Sequence, residues 1–448
     1  MVAPLLDRYA SRLQVSEEDR AMGVRAVVGA HWGDEGKGKV VDYLAAQADL
    51  VIRYNGGANA GHTVVPDERG EFRLHLVPSG IFHPHVQCLV GPGTVVDPEA
   101  LLAEIDELEQ RGVSTARLFV AERAHVVMPY HIQRDGLEED ARGEHRQGTT
   151  RRGVGPAYTD KAARIGLQMG DLLDEPYLRE YIPAVVDAEN RILAGYGAPP
   201  LDARALLEQC LGWGRRLKDR IVDSHIVVQR ALREDRLILL EGQLGVMRDL
   251  DWGIYPFVTS SCTLAGGAAA GAGVPPHRIR QITGVTKAYT TAVGEGPLPT
   301  EMPPDQAAQL REIGNEYGAA TGRPRRCGWF DAVAARFAAE LNGFTDLAVM
   351  KLDVLDGFEQ VHICTAYRID SKLLPAGEIT TMPPARVLAR AEPVYETLPG
   401  WRCCTSTARH FEKLPSEAQR YIQRIEELVG VPVRLIGVGP ERQATIER

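Results

Sequence analysis

Residues 25–54 read RAVVGAHWGDEGKGKVVDYLAAQADLVIRY. The apolar run Arg25–Gly29 has the length of a buried strand and empties into a glycine-rich loop, Gly33-Asp34-Glu35-Gly36-Lys37-Gly38-Lys39. A helix is expected near Lys39 to Ala48, and Asp49–Tyr54 reads as a second strand. Strand, loop, helix, strand at this spacing is a βαβ unit, which predicts an α/β fold with a central, largely parallel sheet and a P-loop-like nucleotide site. Ligands of such sheets lie beyond the carboxyl ends of the strands. The loop after each strand is therefore a candidate binding element.

Loop 33–39 fits the spacing G-x-x-x-x-G-K, in which glycines let the backbone approach a polyphosphate and Lys37 and Lys39 add positive charge. It departs from that pattern twice. Val40 stands where a Ser or Thr would hold a metal, and Asp34 places a carboxylate where phosphate would be repelled. A carboxylate there can act as a hard ligand for Mg²⁺ or accept a proton, kept ionised by its neighbours.

The second strand ends in Asn55-Gly56-Gly57-Ala58-Asn59-Ala60-Gly61-His62-Thr63. On spacing alone, His62 suits a structural role as well as that of an acid for a leaving group. Gly148 to Pro156 (GTTRRGVGP) is a hydroxyl-rich basic loop, equally compatible with phosphate binding and with plain solvation. Val258-Thr259-Ser260-Ser261 offers three adjacent hydroxyls, and Gly318–Arg326 (GAATGRPRR) carries three arginines suited to carboxylate or phosphate. Lys351-Leu352-Asp353 closes an apolar run. Asp353 there could accept from the N1–H and exocyclic amine of guanine, a donor pair adenine lacks; the alternative is an exposed ion pair.

Net charge is −9, which gives no electrostatic case for a nucleic-acid partner. The seven cysteines show no zinc spacing and suit reduced thiols in a cytoplasmic protein. Residues 1–24 lack a signal-peptide pattern and suggest a short helical extension; no run reaches membrane-spanning length. Further strands are expected at Cys88–Val90, Leu118–Ala121, Leu237–Leu240, Gln281–Val285, Leu347–Leu352 and Gln360–Tyr367. Helices are expected at Pro98–Arg111, Pro176–Gly195, Ala203–Arg233, Asp305–Tyr317 and Ser416–Leu428. The stretch 176–235 interrupts the α/β rhythm as an inserted helical subdomain, within a catalytic domain spanning 25–448.

WGDEGKGK (32–39), GGANAGHT (56–63), HLVPSG (75–80), GTTRRGVGPAY (148–158), YPFVTSS (255–261), GPLPTE (296–301), TGRPRRCGW (321–329), KLDVLDG (351–357), YETLPGW (395–401) and RIEELVGVPV (424–433) occur in this order. Together they resemble the adenylosuccinate synthetase family from about Arg25 almost to the C-terminus. The resemblance implies GTP-dependent joining of L-aspartate to IMP through a 6-phosphoryl-IMP intermediate, with Mg²⁺, in a cytoplasmic homodimer. It makes Asp34 the base for the IMP N1 proton and a Mg²⁺ ligand with the Gly61 carbonyl, and His62 the donor toward the departing β-phosphate. GTP would be held by Gly33, Asp34, Glu35, Gly36, Lys37, Gly38, Lys39, Gly61, His62, Thr63, Arg325, Lys351, Leu352, Asp353, Gly437, Val438 and Gly439. IMP would meet Asp34, Glu35, Gly36, Lys37, Asn59, Ala60, Gly61, His62, Thr150, Thr259 and Arg323, with Arg164 reaching the partner subunit's active site. Aspartate would be clamped by Ala319, Ala320, Thr321, Gly322, Arg323, Pro324 and Arg325.

The chain also departs from the family pattern. Where EGAQG is common it reads Glu241-Gly242-Gln243-Leu244-Gly245, moving the glutamine by one residue. Ala292, Ala320, Gly437 and Val438 replace a usual Arg, Thr, Ser and Thr, and Pro324 interrupts the arginine run. Two other readings stay open: a ligase acting on another purine nucleotide or amine donor, and a GTP-binding protein without ligase chemistry. Phage relatives that act on dGMP lack the aspartate at the position of Asp34, so its presence argues for a hypoxanthine substrate.

Overall fold

A computed structural model describes residues 23–59, 61–318, 322–377 and 381–448. Its centre is a ten-stranded sheet. In chain order the strands are β1 Val24–Gly29, β2 Leu50–Arg53, β3 Gln87–Val90, β4 Leu118–Ala121 and β5 Ile221–Val222. There follow β6 Ile238–Gly245, β7 Ile279–Lys287, β8 Asp346–Met350, β9 Val433–Gly437 and β10 Thr445–Glu447. Across the sheet they run β10-β9-β8-β7-β1-β6-β2-β3-β4-β5, all pairs parallel except β9–β10. The expected parallel α/β architecture is present.

Both faces of the sheet are covered, so its strands read as unbroken apolar runs instead of alternating ones. Alternate residues of β1 feed two separate cores: Ala26 and Val28 face one, Val27 the other. The helix α1, Lys37–Ala45, packs over β6 on the Val27 side. The small-residue helix α2, Ala265–Ala272, packs on β1 from the opposite side, where its missing side chains allow close approach. Because these strands are parallel, the loops leaving β1, β2, β6, β7, β8 and β9 all emerge along one edge. That edge is the switch point where α/β sheets bind ligands.

Two expectations need correction. Ala203–Arg233 is two helices, Ala203–Leu217 and Ser224–Arg233. Between them Ile221–Val222 leaves the helical path to pair with β4 at the sheet edge, and the Asp223 side chain caps the second helix by accepting from the backbone N–H groups of His225 and Ile226. The strand expected at Gln360–Tyr367 is present as Gln360–Ile369, in a separate sheet with Phe330–Asp331, Lys372–Pro375 and Glu392–Pro399. Leu352 lies beyond β8 in a 3-10 turn, Leu352–Leu355. The helical extension expected over residues 1–24 lies almost wholly outside the described residues. Among the described residues no helix is long and apolar enough to cross a membrane, and all seven cysteines are free.

Candidate active site

Two clefts open along the carboxyl edge of the sheet and meet at Asp34. One, of about 290 Å³, is lined by Asn59, Thr150 and Thr259. The other, of about 390 Å³, is lined by Lys37, Lys39, His62, Thr63, Lys351 and Asp353. Asp34, Asn59, Gly61, Leu244 and Gly318 face both.

The loop between β1 and α1 is shaped by its own acid. The Glu35 carboxylate accepts from the backbone N–H groups of Gly33 at 2.8 Å and His31 at 3.2 Å, and from Lys37 Nζ at 2.5 Å. Glu35 is 2% exposed, so its side chain builds the loop and only its backbone remains to meet a ligand. Asp34 takes a left-handed φ of 59°, a conformation that aspartate tolerates better than most residues. Strain of this kind in a binding loop marks a functional constraint. Gly38 is required by contact, since a Cβ there would lie 2.8 Å from His62 Cβ.

Asp34 and Arg325 form an ion pair, Arg325 Nε donating to Oδ2 at 2.8 Å. Burial alone would raise the Asp34 pKa, but Arg325, Lys287 and Lys37 outweigh it and hold the carboxyl below its ordinary value. Arg325 Nη1 also donates to Glu316 at 2.6 Å. Glu316 is fully buried and gathers Lys287 Nζ and Lys351 Nζ at 2.8 Å each, with the Tyr289 hydroxyl. One carboxylate thus ties the arginine loop to the end of β8.

His62 Nδ1 lies 2.5 Å from Glu241 Oε1. Glu241 is held ionised: burial raises its pKa, but His62, Arg53 and Ser79 outweigh that. An ionised carboxylate can only accept, so Nδ1 carries the hydrogen and Nε2 is free to exchange a proton. Ser79 adds its N–H at 2.8 Å and its hydroxyl at 2.7 Å to the same carboxylate. Burial lowers the His62 pKa despite Glu241, so a bound polyanion would be needed to favour its protonated form.

On the far side of the second cleft, Lys39 Nζ donates to the carbonyls of Gly439 at 2.6 Å and Ala444 at 2.8 Å. Burial lowers its pKa to about 8. Asp353 presents a buried Oδ1 with no partner among the described residues. A buried acceptor left unpaired is costly, so a ligand donor is its natural complement.

Several expected contacts are not lining contacts. The side chains of Leu352 and Val438 are buried in the core, and Gly437 packs against Met350. Arg164 caps the helix Val154–Ala163, is exposed and lines neither cleft. Arg323 approaches the Gly148 carbonyl at 3.5 Å. Gly322 and Arg325 line the second cleft, and Pro324 forms a bridge with Tyr317. Ala60, Ala319, Ala320 and Thr321 lie outside the described residues. Sequence reasoning did not single out Glu241, Lys287 and Glu316 as site residues. Lys287 ends β7 and Glu241 interrupts the apolar run of β6, each an isolated charge in a buried strand, a signal that was available.

The family model for adenylosuccinate synthetase matches residues 26–446. The chain is 52% identical over 428 residues to the adenylosuccinate synthetase of Moorella thermoacetica, covering 95% of this chain and 99% of that one. It is 50% identical over 432 residues to that of Thermomicrobium roseum, with the same coverage of 95% and 99%. The solved structure of fully ligated adenylosuccinate synthetase from Plasmodium falciparum superposes with a TM-score of 0.89 at 36% identity, covering 95% of this chain and all of that one. A cyanophage S-2L succinoaminodeoxyadenylate synthetase shares the fold, with a TM-score of 0.59 at 20% identity over 95% of each chain. Match and coverage run across both clefts and every loop that forms them: the chain belongs to the adenylosuccinate synthetase family.

Proposed function

We propose that the cleft of Asn59, Thr150 and Thr259 takes IMP, that the cleft of Lys37, Lys39, Lys351 and Asp353 takes GTP, and that Asp34 serves both. The activity is that of the family: GTP, IMP and L-aspartate give adenylosuccinate, GDP and phosphate in a homodimeric enzyme. The cytoplasm is its place, consistent with free cysteines. The observation that carries the site reading is the meeting of the two clefts at one strained, ionised aspartate.

In this reading Asp34 removes the N1 proton of IMP, and the O6 oxygen so activated attacks the γ-phosphate of GTP. The bond from that phosphorus to the β–γ bridging oxygen breaks, and His62 Nε2, backed by Glu241, donates toward the leaving GDP. The aspartate amine then attacks C6, the C6–O6 bond breaks and inorganic phosphate departs. Loop residues 319–325 clamp aspartate, with Arg323 and Arg325 reading its carboxylates. An anionic ligand competing for Arg325 would free Asp34 from its ion pair. Gly33 to Lys39 cradle the phosphates through backbone N–H groups and two lysines. Arg164 extends toward the partner's IMP.

The residues present suit Mg²⁺. The Asp34 carboxylate and the Gly61 carbonyl are hard oxygens, and Mg²⁺ takes one or two carboxylates together with substrate phosphates and water. Among the described residues no cluster of three His, Cys, Asp or Glu forms a closed cage, which fits an ion shared with substrate. When bound, Mg²⁺ supplies charge neutralisation at the phosphates.

Nucleotide choice gives the test. Asp353→Asn keeps the size of the side chain but replaces an acceptor-only group with one that can also donate. It should raise the GTP KM by about tenfold or more, the scale of one or two lost hydrogen bonds to a charged group, with the IMP KM unchanged. Steady-state assays with GTP and ATP check this; an unchanged GTP KM would remove Asp353 from guanine recognition.

A further inference from the structure

We infer that Gln243 is a positioning residue that fixes which end of the Asn59 amide faces the nucleotide. The inference rests on the reading of Asn59 as an IMP contact. Side-chain amide oxygen and nitrogen look alike in shape, so their assignment must come from partners whose role is not in doubt. Gln243 has two such partners. The backbone N–H of Gly57 donates to its Oε1 at 3.0 Å, and Arg53 Nη2 approaches the same atom at 3.4 Å. A peptide N–H and a guanidinium can only donate. The atom facing them is therefore oxygen, and the other end of the Gln243 amide is a donor.

That donor, Nε2, lies 2.5 Å from Asn59 Oδ1. Two donors cannot pair there, so Asn59 must turn its oxygen inward. Its Nδ2 is left as the group available to the clefts, and Asn59 lines both of them. An NH₂ facing the site complements an acceptor on the ligand and rejects a donor.

The surroundings leave Gln243 little freedom. It is 1% exposed, and a Cβ on Gly56 would fall 1.6 Å from its Oε1. Asn55 grips the backbone on either side, accepting from Gln243 N at 2.9 Å and donating to Gln243 O at 3.4 Å. The next residue, Leu244, takes a left-handed φ of 61° and lines both clefts. The reordering of EGAQG to Glu241–Gly245 as EGQLG thus makes one side chain an apolar wall and the other an amide clamp beneath Asn59.

Gln243→Glu reverses the polarity. Both carboxylate oxygens accept, so Gly57 and Arg53 keep their acceptor while Asn59 must turn its NH₂ inward and present Oδ1 to the nucleotide. Arg53 has two buried nitrogens without partners, Nε and Nη1, so the added charge falls beside a compensating cation. The experiment measures KM for IMP and GTP, kcat and thermal midpoint for Gln243→Glu, Gln243→Met and Asn59→Ala in the full chain. Gln243→Glu should raise the IMP KM about tenfold, as much as Asn59→Ala or more, with kcat and the GTP KM changing less than about threefold. Gln243→Met, which removes the clamp without reversing it, should fall between. A raised IMP KM in Asn59→Ala but not in Gln243→Glu overturns the clamp and leaves the IMP site intact. No rise in either variant overturns the assignment of Asn59, and the clamp with it. A uniform loss in every parameter with a lower thermal midpoint makes Gln243 a packing residue only.

Discussion

Asp34→Asn should lower kcat by about a thousandfold, within the 10²–10⁴ range that a positioned general base supplies, while the protein stays folded. Asparagine tolerates the left-handed backbone that Asp34 adopts at φ 59°, so the loop need not rearrange. The amide can still receive Arg325 through its oxygen, but it cannot accept the N1 proton. Glu316 remains to balance Arg325 and Lys287. Single-turnover rates with IMP, aspartate and GTP, beside circular dichroism of the variant, make the measurement. A rate within about tenfold of the parent would remove Asp34 from the role of base, since that loss is smaller than base catalysis accounts for. The pH dependence follows from the same environment. The Asp34 carboxyl sits below its ordinary value because Arg325, Lys287 and Lys37 outweigh its burial. In the free enzyme its anionic form therefore survives acidification, and Asp34 should cause no loss of kcat/KM until pH falls below about 4, the ordinary aspartate value.

His62→Asn should cost about a hundredfold or more in kcat, the contribution of a positioned acid, and Glu241→Gln should reproduce part of that loss. The two variants differ in pH behaviour. Glu241 is the anion that raises the His62 pKa against burial. Removing its charge lowers that pKa further, so the decline in kcat as pH rises should begin at lower pH in Glu241→Gln. In His62→Asn that limb should vanish. If Glu241→Gln loses activity equally at every pH, Glu241 merely supports the backbone at Ser79 and does not tune the histidine.

The fold was legible because the βαβ signal is local. Arg25–Gly29, the glycine loop and Asp49–Tyr54 each carry their own periodicity, and β1, α1 and β2 fall within a few residues of expectation. The element that was misread takes its identity from a distant partner. Ile221–Val222 is too short to register as a strand until β4 offers an edge. Gln360–Ile369 was legible as a strand from its composition, while its sheet is set by distant partners. The site divides in the same way. Motif spacing singled out Asp34, His62, Lys351 and Asp353, all four of which the fold gathers along the clefts. It did not identify Glu316 as a junction, because its three cations come from positions 287, 325 and 351. Nor could it tell that Glu35 spends its carboxylate on its own loop, which is a matter of side-chain direction.

The central claim is that the O6 oxygen of IMP attacks the γ-phosphate of GTP before aspartate attacks C6. IMP labelled with ¹⁸O at O6, incubated with the enzyme, GTP, Mg²⁺ and L-aspartate, tests it by mass spectrometry of the inorganic phosphate released. The account predicts one ¹⁸O in each phosphate formed alongside adenylosuccinate. Unlabelled phosphate would contradict it, because GTP would then have been hydrolysed by water and the C6 oxygen lost by another route.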